Sequence, residues 1–371
     1  MRIKRSKGRV VAAMSGGVDS SLAAAILKKR GFDCVGITFR TWPKNECGAS
    51  FSRTCCSLEA ITMARAVAER LDMPYYVLDI SERFRREVVD YFAAEYSKGR
   101  TPNPCIVCNE KIKFGFLIER AKSLGAGHVA TGHFAKIDYD KRTGRYLLKE
   151  GKDKKKDQSY FLFSLSQAQL ARALFPLGDM TKTDVRRRAR RLKLPSHNAL
   201  SSQDICFVQD MNYRDYLKKK MSFEIMPGDI VDSSGKILGR HKGIPFYTIG
   251  QRRGLGVTYK EPLYVTGLDV INNRVVVGVK KDILKRSLVA NRMNWIEFDA
   301  PDGPVKVKAK IRYNHKGSEA VVTPLSADEV RVDFDAPQEA PTPGQAVVFY
   351  DKDIVVGGGW IRDCPRSVVC A

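Results

Sequence analysis

SGGVDSS, Ser15 to Ser21, stands between the apolar run GRVVAAM and the helical pattern SLAAAILKKRG, which ends at Gly31. The succession reads as strand, tight loop and helix. Gly16 and Gly17 let the backbone turn sharply and aim N–H groups at an anion. Ser20 and Ser21 would add hydroxyl donors at a helix N-terminus whose dipole favours negative charge. Asp19 would repel a phosphate unless it organises the loop or holds Mg²⁺. The stretch lacks the Gly-Lys-Ser/Thr ending of a Walker loop, which speaks against a kinase or GTPase.

Working outward, strand-like and helical patterns alternate as far as about Asp140. CVGITFR and YYVLDI read as strands, and HVATGHFAKI as one more. CSLEAITMARAVAERLD, FRREVVDYFAAEYSKG and KIKFGFLIERAKSLG read as helices. Such alternation implies crossover helices on a largely parallel sheet, an α/β domain. KDQSYFLFSLSQAQLARALFPLG continues into a helical pattern. TKTDVRRRARRLKL predicts a helix capped by Thr181 or Thr183 and carrying Arg186, Arg187, Arg188, Arg190 and Arg191. After about Met221 the chain becomes dense in Gly, Pro and turn dipeptides, reading as short strands and loops. In VKVKAKIRY, Val305, Val307, Ala309, Ile311 and Tyr313 alternate with Lys306, Lys308, Lys310 and Arg312, predicting a strand with one buried face and one basic face. A small barrel or sandwich is expected from about Ser287 onward.

At 371 residues the chain exceeds one ordinary core, and roughly 100–200 residues per domain suggests two or three. Sixty-four Lys+Arg against 41 Asp+Glu give a formal charge of +23, a field that attracts a polyanion. The basic start MRIKRSKGRVVAAM breaks at SGGVDSS, too early for a secretory signal, and no stretch reaches the apolar length of a membrane span. A cytoplasmic protein is expected. Thiols stay reduced there, so the nine cysteines read as buried, metal-binding or catalytic. In TPNPCIVCNEKIKF, Cys105 and Cys108 lie three positions apart. A zinc half-site, a redox pair, an iron–sulfur ligand set and a sulfur-handling site would all write such a stretch. Structural zinc needs four ligands, and no second Cys-x-x-Cys or Cys-x-x-His exists to complete them.

SGGVDSS is similar to the signature of the PP-loop ATP pyrophosphatases. TCCSLEA, TPNPCIVCNEKIKFG, ATGHFA, KDQSYFL, FPLG, SSQDICFV, GQRRGLG and IRY resemble, in that order, the MnmA family of tRNA 2-thiouridylases. The resemblance implies an N-terminal PP-loop, Rossmann-like domain over 1–215, a small central domain over 216–283 and a C-terminal β-barrel over 284–371. It also implies an enzyme that uses ATP with Mg²⁺ to adenylate O2 of the wobble uridine of tRNA, and then replaces that oxygen by sulfur.

Residue by residue, the resemblance assigns ATP to Ala13, Met14, Ser15, Gly16, Gly17, Val18, Asp19, Ser20, Ser21, Phe39 and Gly132, with Phe39 where the family often has Met. Cys206 would carry a persulfide and Cys108 would resolve it, with Asp19 joining them as a catalytic residue. Lys111 and Lys113, just after Cys108, would supply positive charge that favours its thiolate. Asn103, Pro104, Cys105, His133, Lys156, Asp157, Gln158, Arg312, Tyr313 and Gln345 would meet tRNA. Cys105 occupies a position that holds Asp in some members and Cys in others, so a [4Fe–4S] cluster on Cys105, Cys108 and Cys206 is a rival route. Further binding to phosphates is expected from Lys152 to Lys156, the arginine helix, Lys218 to Lys220, and Arg252 with Arg253. The sulfur donor would be a cysteine desulfurase or a relay protein. A PP-loop ligase of amidotransferase type and a non-catalytic RNA-binding or redox-sensing protein are the other readings.

Overall fold

Strand β1 (Arg9–Ala13) is an unbroken apolar run whose residues Val10 and Val11 are fully buried, as a strand covered on both faces requires. The computed structural model describes residues 7–42, 57–199, 205–208 and 225–364. It divides the chain into two compact units. The first holds Met1–Val89, Pro104–Asp210 and Asp353–Val355, and the second holds Asp90–Asn103, Met211–Lys352 and Val356–Ala371.

In the first unit β1 leads into α1 (Val18–Lys29), β2 (Asp33–Arg40), α2 (Leu58–Arg70), β3 (Tyr75–Asp79) and α3 (Ser81–Phe84). A π-helical turn, Arg85–Val89, follows α3, and α4 (Asp90–Ser97) then belongs to the second unit. Returning to the first unit, α5 (Pro104–Val107), a π-helical segment Cys108–Phe116 and α6 (Leu117–Ser123) precede β4 (His128–Ala130). The antiparallel pair β5 (Ala135–Asp140) and β6 (Arg145–Glu150), then α7 (Gln167–Leu170), β7 (Ala173–Leu174) and α8 (Lys182–Arg191), complete it.

The sheet has the order β3-β2-β1-β4-β7, parallel throughout. The strand order reverses direction at β1, between β2 and β4. The carboxyl ends of strands at such a switch point form the crevice where open α/β sheets bind ligands, and the loop at Ser15 sits there. Two sequence expectations change. HVATGHFAKI is not one strand: β4 ends at Ala130, and Thr131–Phe134 leave the sheet before β5 begins. KDQSYFL and the stretch that follows it form only a 3-10 turn (Ser159–Leu162), the single turn of α7 and the two residues of β7. Tyr160, Leu162, Phe163 and Leu165 are all buried there, so apolar density imitated a longer helix.

In the second unit, β8 (Gly228–Val231), β9 (Ile237–His241), β10 (Tyr264–Asp269) and β11 (Arg274–Gly278) form a sheet of order β10-β11-β8-β9. Strands β12 (Leu284–Trp295), β13 (Val305–Lys310), β14 (Ser318–Ser326), β15 (Glu329–Glu339), β16 (Ala346–Asp351) and β17 (Ile354–Asp363) follow. They run β12-β15-β14-β13-β16-β17 and close where β12 meets β17. The result is a barrel. Val307 and Ala309 are buried while Lys306 and Lys308 are exposed, the alternation read from VKVKAKIRY. Leu288, Val322, Val332 and Phe349 fill the interior. The α4 strip is tied down within this unit, because Thr101 N–H donates to Pro343 O (2.9 Å) and Gln345 Nε2 donates to Thr101 O (2.9 Å). Among the described residues no helix is long and apolar enough to cross a membrane.

Candidate active site

The loop between β1 and α1 is braced from inside. Ser20 Oγ accepts from Ser15 N–H (3.1 Å) and donates to Gly17 O (3.1 Å), and Ser21 Oγ donates to the same carbonyl (2.9 Å). Both serines are buried. The hydroxyls expected to face a phosphate thus close the loop on itself, which leaves the N–H groups of the first turn of α1 as the donors available to an anion. Gly16 has φ of +73°, and a Cβ there would stand 2.4 Å from Ala60 O in the first turn of α2. Only glycine fits. Below the loop, Thr38 Oγ1 donates to Met14 O (2.6 Å) and Tyr75 OH donates to Thr38 Oγ1 (2.8 Å), tying together the ends of β1, β2 and β3. Phe39 is tilted against Phe116 with ring centroids 6.0 Å apart, and Phe116 is flanked by the guanidinium groups of Arg83 and Arg120.

Asp19, in the first turn of α1, is gripped by a residue that sequence reasoning missed. Lys182 Nζ lies 2.6 Å from each of its carboxylate oxygens. A lysine in the first turn of a helix opposes the helix dipole, and that is the signal in TKTDV that could have exposed it. Thr181 is the cap, with Asp184 completing a capping box.

Gly132 also lies against the loop. A Cβ on it would come within 2.7 Å of Asp19 C and Ser20 N, so the Thr131–Phe134 segment rests directly on the first turn of α1. The next residue, His133, is buried and shares a 2.7 Å hydrogen bond between its Nδ1 and Thr131 Oγ1. Its ring packs on Phe114 and Phe175. Burial, with Lys113 nearby, pushes the imidazole well below its ordinary range, so it is neutral at pH 7.

Cys105 and Cys108 both fall on the helical stretch that begins at Pro104, one turn apart and so on one face. Both thiols are free and half-buried. Burial pushes Cys105 up, and it pushes Cys108 up to about 11, with Lys113 acting against burial at both. The expected activation is thus outweighed by desolvation, and both cysteines rest as thiols. Lys111 differs from Lys113 in pairing with Glu110 (2.9 Å).

The wide helical turn after Cys108 has identifiable supports. Gln169 Nε2 donates to Glu110 O and Phe114 O, each at 3.0 Å, and Gly115 tolerates Glu110 O at 3.0 Å from where a Cβ would stand. Asn109 is buried and donates to Phe161 O (3.0 Å).

Cys206 is a free, half-buried thiol in a short turn. Its neighbour Phe207 packs edge-on against Phe84, centroids 6.0 Å apart. The π-helical turn that continues from Phe84 packs on both α5 and the Cys108–Phe116 segment, so the two cysteine stretches border one helical body. The three cysteines are not gathered as metal ligands. Among the described residues no group of three or more His, Cys, Asp or Glu could hold a metal ion, and the [4Fe–4S] expectation finds no ligand set.

The expected tRNA residues divide. Lys156 is exposed, but Asp157 is buried and directs its carboxylate to Gly151 N–H (2.8 Å) and to the Ser159 hydroxyl (2.7 Å). Gln158 Oε1 accepts from Phe134 N–H (3.0 Å), which fixes the segment that carries His133. Gln345 is engaged with Thr101 through the bond that holds the α4 strip. Arg312 is exposed and donates to Glu339 O (2.9 Å), while Tyr313 is half-buried beside it. The five arginines of α8 are all exposed, as are Arg252 and Arg253. Lys218 to Lys220 lie outside the described residues, as do Cys55 and Cys56.

Residues 8–210 match the family described as tRNA methyl transferase HUP domain; 214–279 match its PRC-barrel domain, and 285–361 match the aminomethyltransferase beta-barrel domain. The tRNA-specific 2-thiouridylase MnmA 2 of a Thermoanaerobacter species is 52% identical over 355 residues, covering 95% of this chain and 98% of that protein. The chain belongs to the MnmA family. MnmA of Moorella thermoacetica is 50% identical over 94% of this chain and 98% of its own, and MnmA of Clostridioides difficile is 47% identical over 95% and 98%. Membership in the MnmA family thus spans all three folded regions, with the loop, the Gly132–His133 segment and the cysteine helix in the first of them.

Proposed function

We propose that this chain is an ATP-dependent tRNA uridine 2-sulfurtransferase acting on the wobble position. The observation that carries the reading is the Thr131–Phe134 segment. Gly132 lies on the phosphate loop, and its neighbour His133 packs on the cysteine-bearing helical segment, with Lys113 close to His133, Cys105 and Cys108. One uracil ring held against that segment would meet a nucleotide on one side and sulfur on the other.

Oxide is a very poor leaving group, so the uracil O2 must first be made able to depart. O2 attacks the α-phosphorus of ATP, the bond to the bridging oxygen breaks, and pyrophosphate leaves. Mg²⁺ enters with ATP as part of the substrate. A persulfide on Cys206, loaded by a cysteine desulfurase or a relay protein, attacks C2 through its outer sulfur. The Cys108 thiolate then attacks the inner sulfur, closing a Cys108–Cys206 disulfide; the outer sulfur stays on C2 and AMP departs. An external dithiol reduces the disulfide, which suits a protein of the reducing cytoplasm. Neutral His133 serves here as an uncharged hydrogen-bonding wall. The exposed cations Lys156, Arg186, Arg187, Arg190, Arg191 and Arg312 would hold tRNA phosphates.

The test combines tRNA, ATP, Mg²⁺, a cysteine desulfurase and cysteine, with mass spectrometry of the wobble nucleoside. Wild type yields 2-thiouridine. Cys108→Ser and Cys206→Ser lose at least about a hundredfold in thiolation and keep tRNA-dependent pyrophosphate release. Thiolation that survives either substitution would refute the persulfide route.

A further inference from the structure

Lys182 is the first residue of α8, and its position is built from several directions. Its backbone N–H donates to Asp153 (2.9 Å), Thr181 caps its helix, and Nζ lies 5.9 Å from the Phe134 ring centroid. The side chain is only 13% exposed and reaches Asp19, 163 residues away in sequence, with Nζ at 2.6 Å from both carboxylate oxygens. The basic residues of α8 farther along are exposed arginines. This lysine is the one turned into the phosphate loop.

An ammonium group carries three N–H donors. Two are directed at Asp19, and one remains. The carboxylate at the first turn of α1 would by itself repel a polyphosphate, and Lys182 cancels that charge at the place where the helix N–H groups face the loop. We propose that Lys182 is a phosphate-binding residue of this site, held ready by Asp19 and offering its remaining N–H to the phosphate chain of the nucleotide. The inference rests on the ATP reading above and adds to it a residue outside the SGGVDSS loop. The ligand chemistry is that of a nucleoside polyphosphate or its pyrophosphate product. Adenosine, which has no phosphate, lies outside it.

Calorimetric titration of the full-length protein with ATP, pyrophosphate and adenosine tests the proposal. Lys182→Met should weaken ATP and pyrophosphate by about tenfold or more, as removal of a charge-assisted hydrogen bond does, and leave adenosine and tRNA affinity unchanged. Lys182→Arg should recover part of the loss. Equal weakening of ATP and adenosine would reduce Lys182 to a structural support and overturn the proposal, and so would unchanged ATP binding. Should Lys182→Met fail to fold, acetylation of wild-type Lys182 under limiting reagent, read by peptide mass spectrometry, gives the answer. ATP and pyrophosphate should slow it and adenosine should not; equal rates in all three overturn the proposal. A wild-type protein that binds no ATP overturns both this inference and the function it rests on.

Discussion

Cys108 combines two opposed influences, and their balance sets its chemistry. Lys113 favours the thiolate, yet burial prevails and holds the thiol up at about 11. A raised acid remains protonated through neutral pH, so the thiolate fraction grows about tenfold per pH unit below that value. Alkylation of Cys108 by iodoacetamide, followed on the peptide, should therefore rise with unit slope from pH 7 to 9. An inflection near pH 7 would contradict the placement of this thiol. Lys113→Met should slow the alkylation at every pH, since the cation that acts against burial is removed. Above pH 9, the ordinary thiol value, the unfolded chain releases the proton first. Cys108 therefore costs the fold stability as pH climbs from 9 toward 11. The resolving step proposed for Cys108 runs on a thiolate at neutral pH, which would require bound substrate to change the surroundings of that thiol.

The phosphate loop and the cysteine-bearing helix each depend on one or two residues that make an otherwise unfavourable backbone tolerable. Gly16→Ala would place a methyl group 2.4 Å from Ala60 O on a backbone of positive φ, itself worth about 1–2 kcal/mol against any non-glycine. Loss of measurable ATP binding in a protein that still shows the far-ultraviolet circular dichroism of wild type is the expected result. Gln169→Ala strips the Glu110 and Phe114 carbonyls of their shared donor, an expected loss of about 1–3 kcal/mol in urea unfolding. The loop was legible in SGGVDSS because glycine spacing and a following apolar helix are local properties. The barrel was equally legible, since alternation in VKVKAKIRY reports burial directly. Lys182 and Gln169 were hidden because their partners lie 163 and 59 or 55 residues away, and pairing at such separations leaves no period in the chain. HVATGHFAKI misled for a related reason: the chain leaves the sheet at Thr131 and Gly132 comes up against the first turn of α1, a contact made over 100 residues of separation that Gly132 signals only as a local break.

Across the molecule, the formal charge of +23 finds one concentrated outlet in the exposed arginines of α8. Association with tRNA should weaken steeply with salt, the logarithm of affinity falling linearly with the logarithm of salt concentration. Replacing Arg186, Arg187, Arg190 and Arg191 together by alanine should flatten that line by about 0.7–0.9 for each phosphate no longer neutralised. An unchanged slope in a filter-binding series would show that this face does not touch RNA. The strip Asp90–Asn103 has a different consequence, one for biosynthesis. Its backbone is fastened by Gln345 across 244 residues, so a ribosome moving at roughly 5–20 residues per second finishes the fastening partner about 12–50 s after the strip has emerged. Throughout that interval the nascent chain carries Phe92 and Tyr96, buried in the finished protein, without the barrel that will hold the strip in place. Those two rings are where a holding chaperone would find its grip.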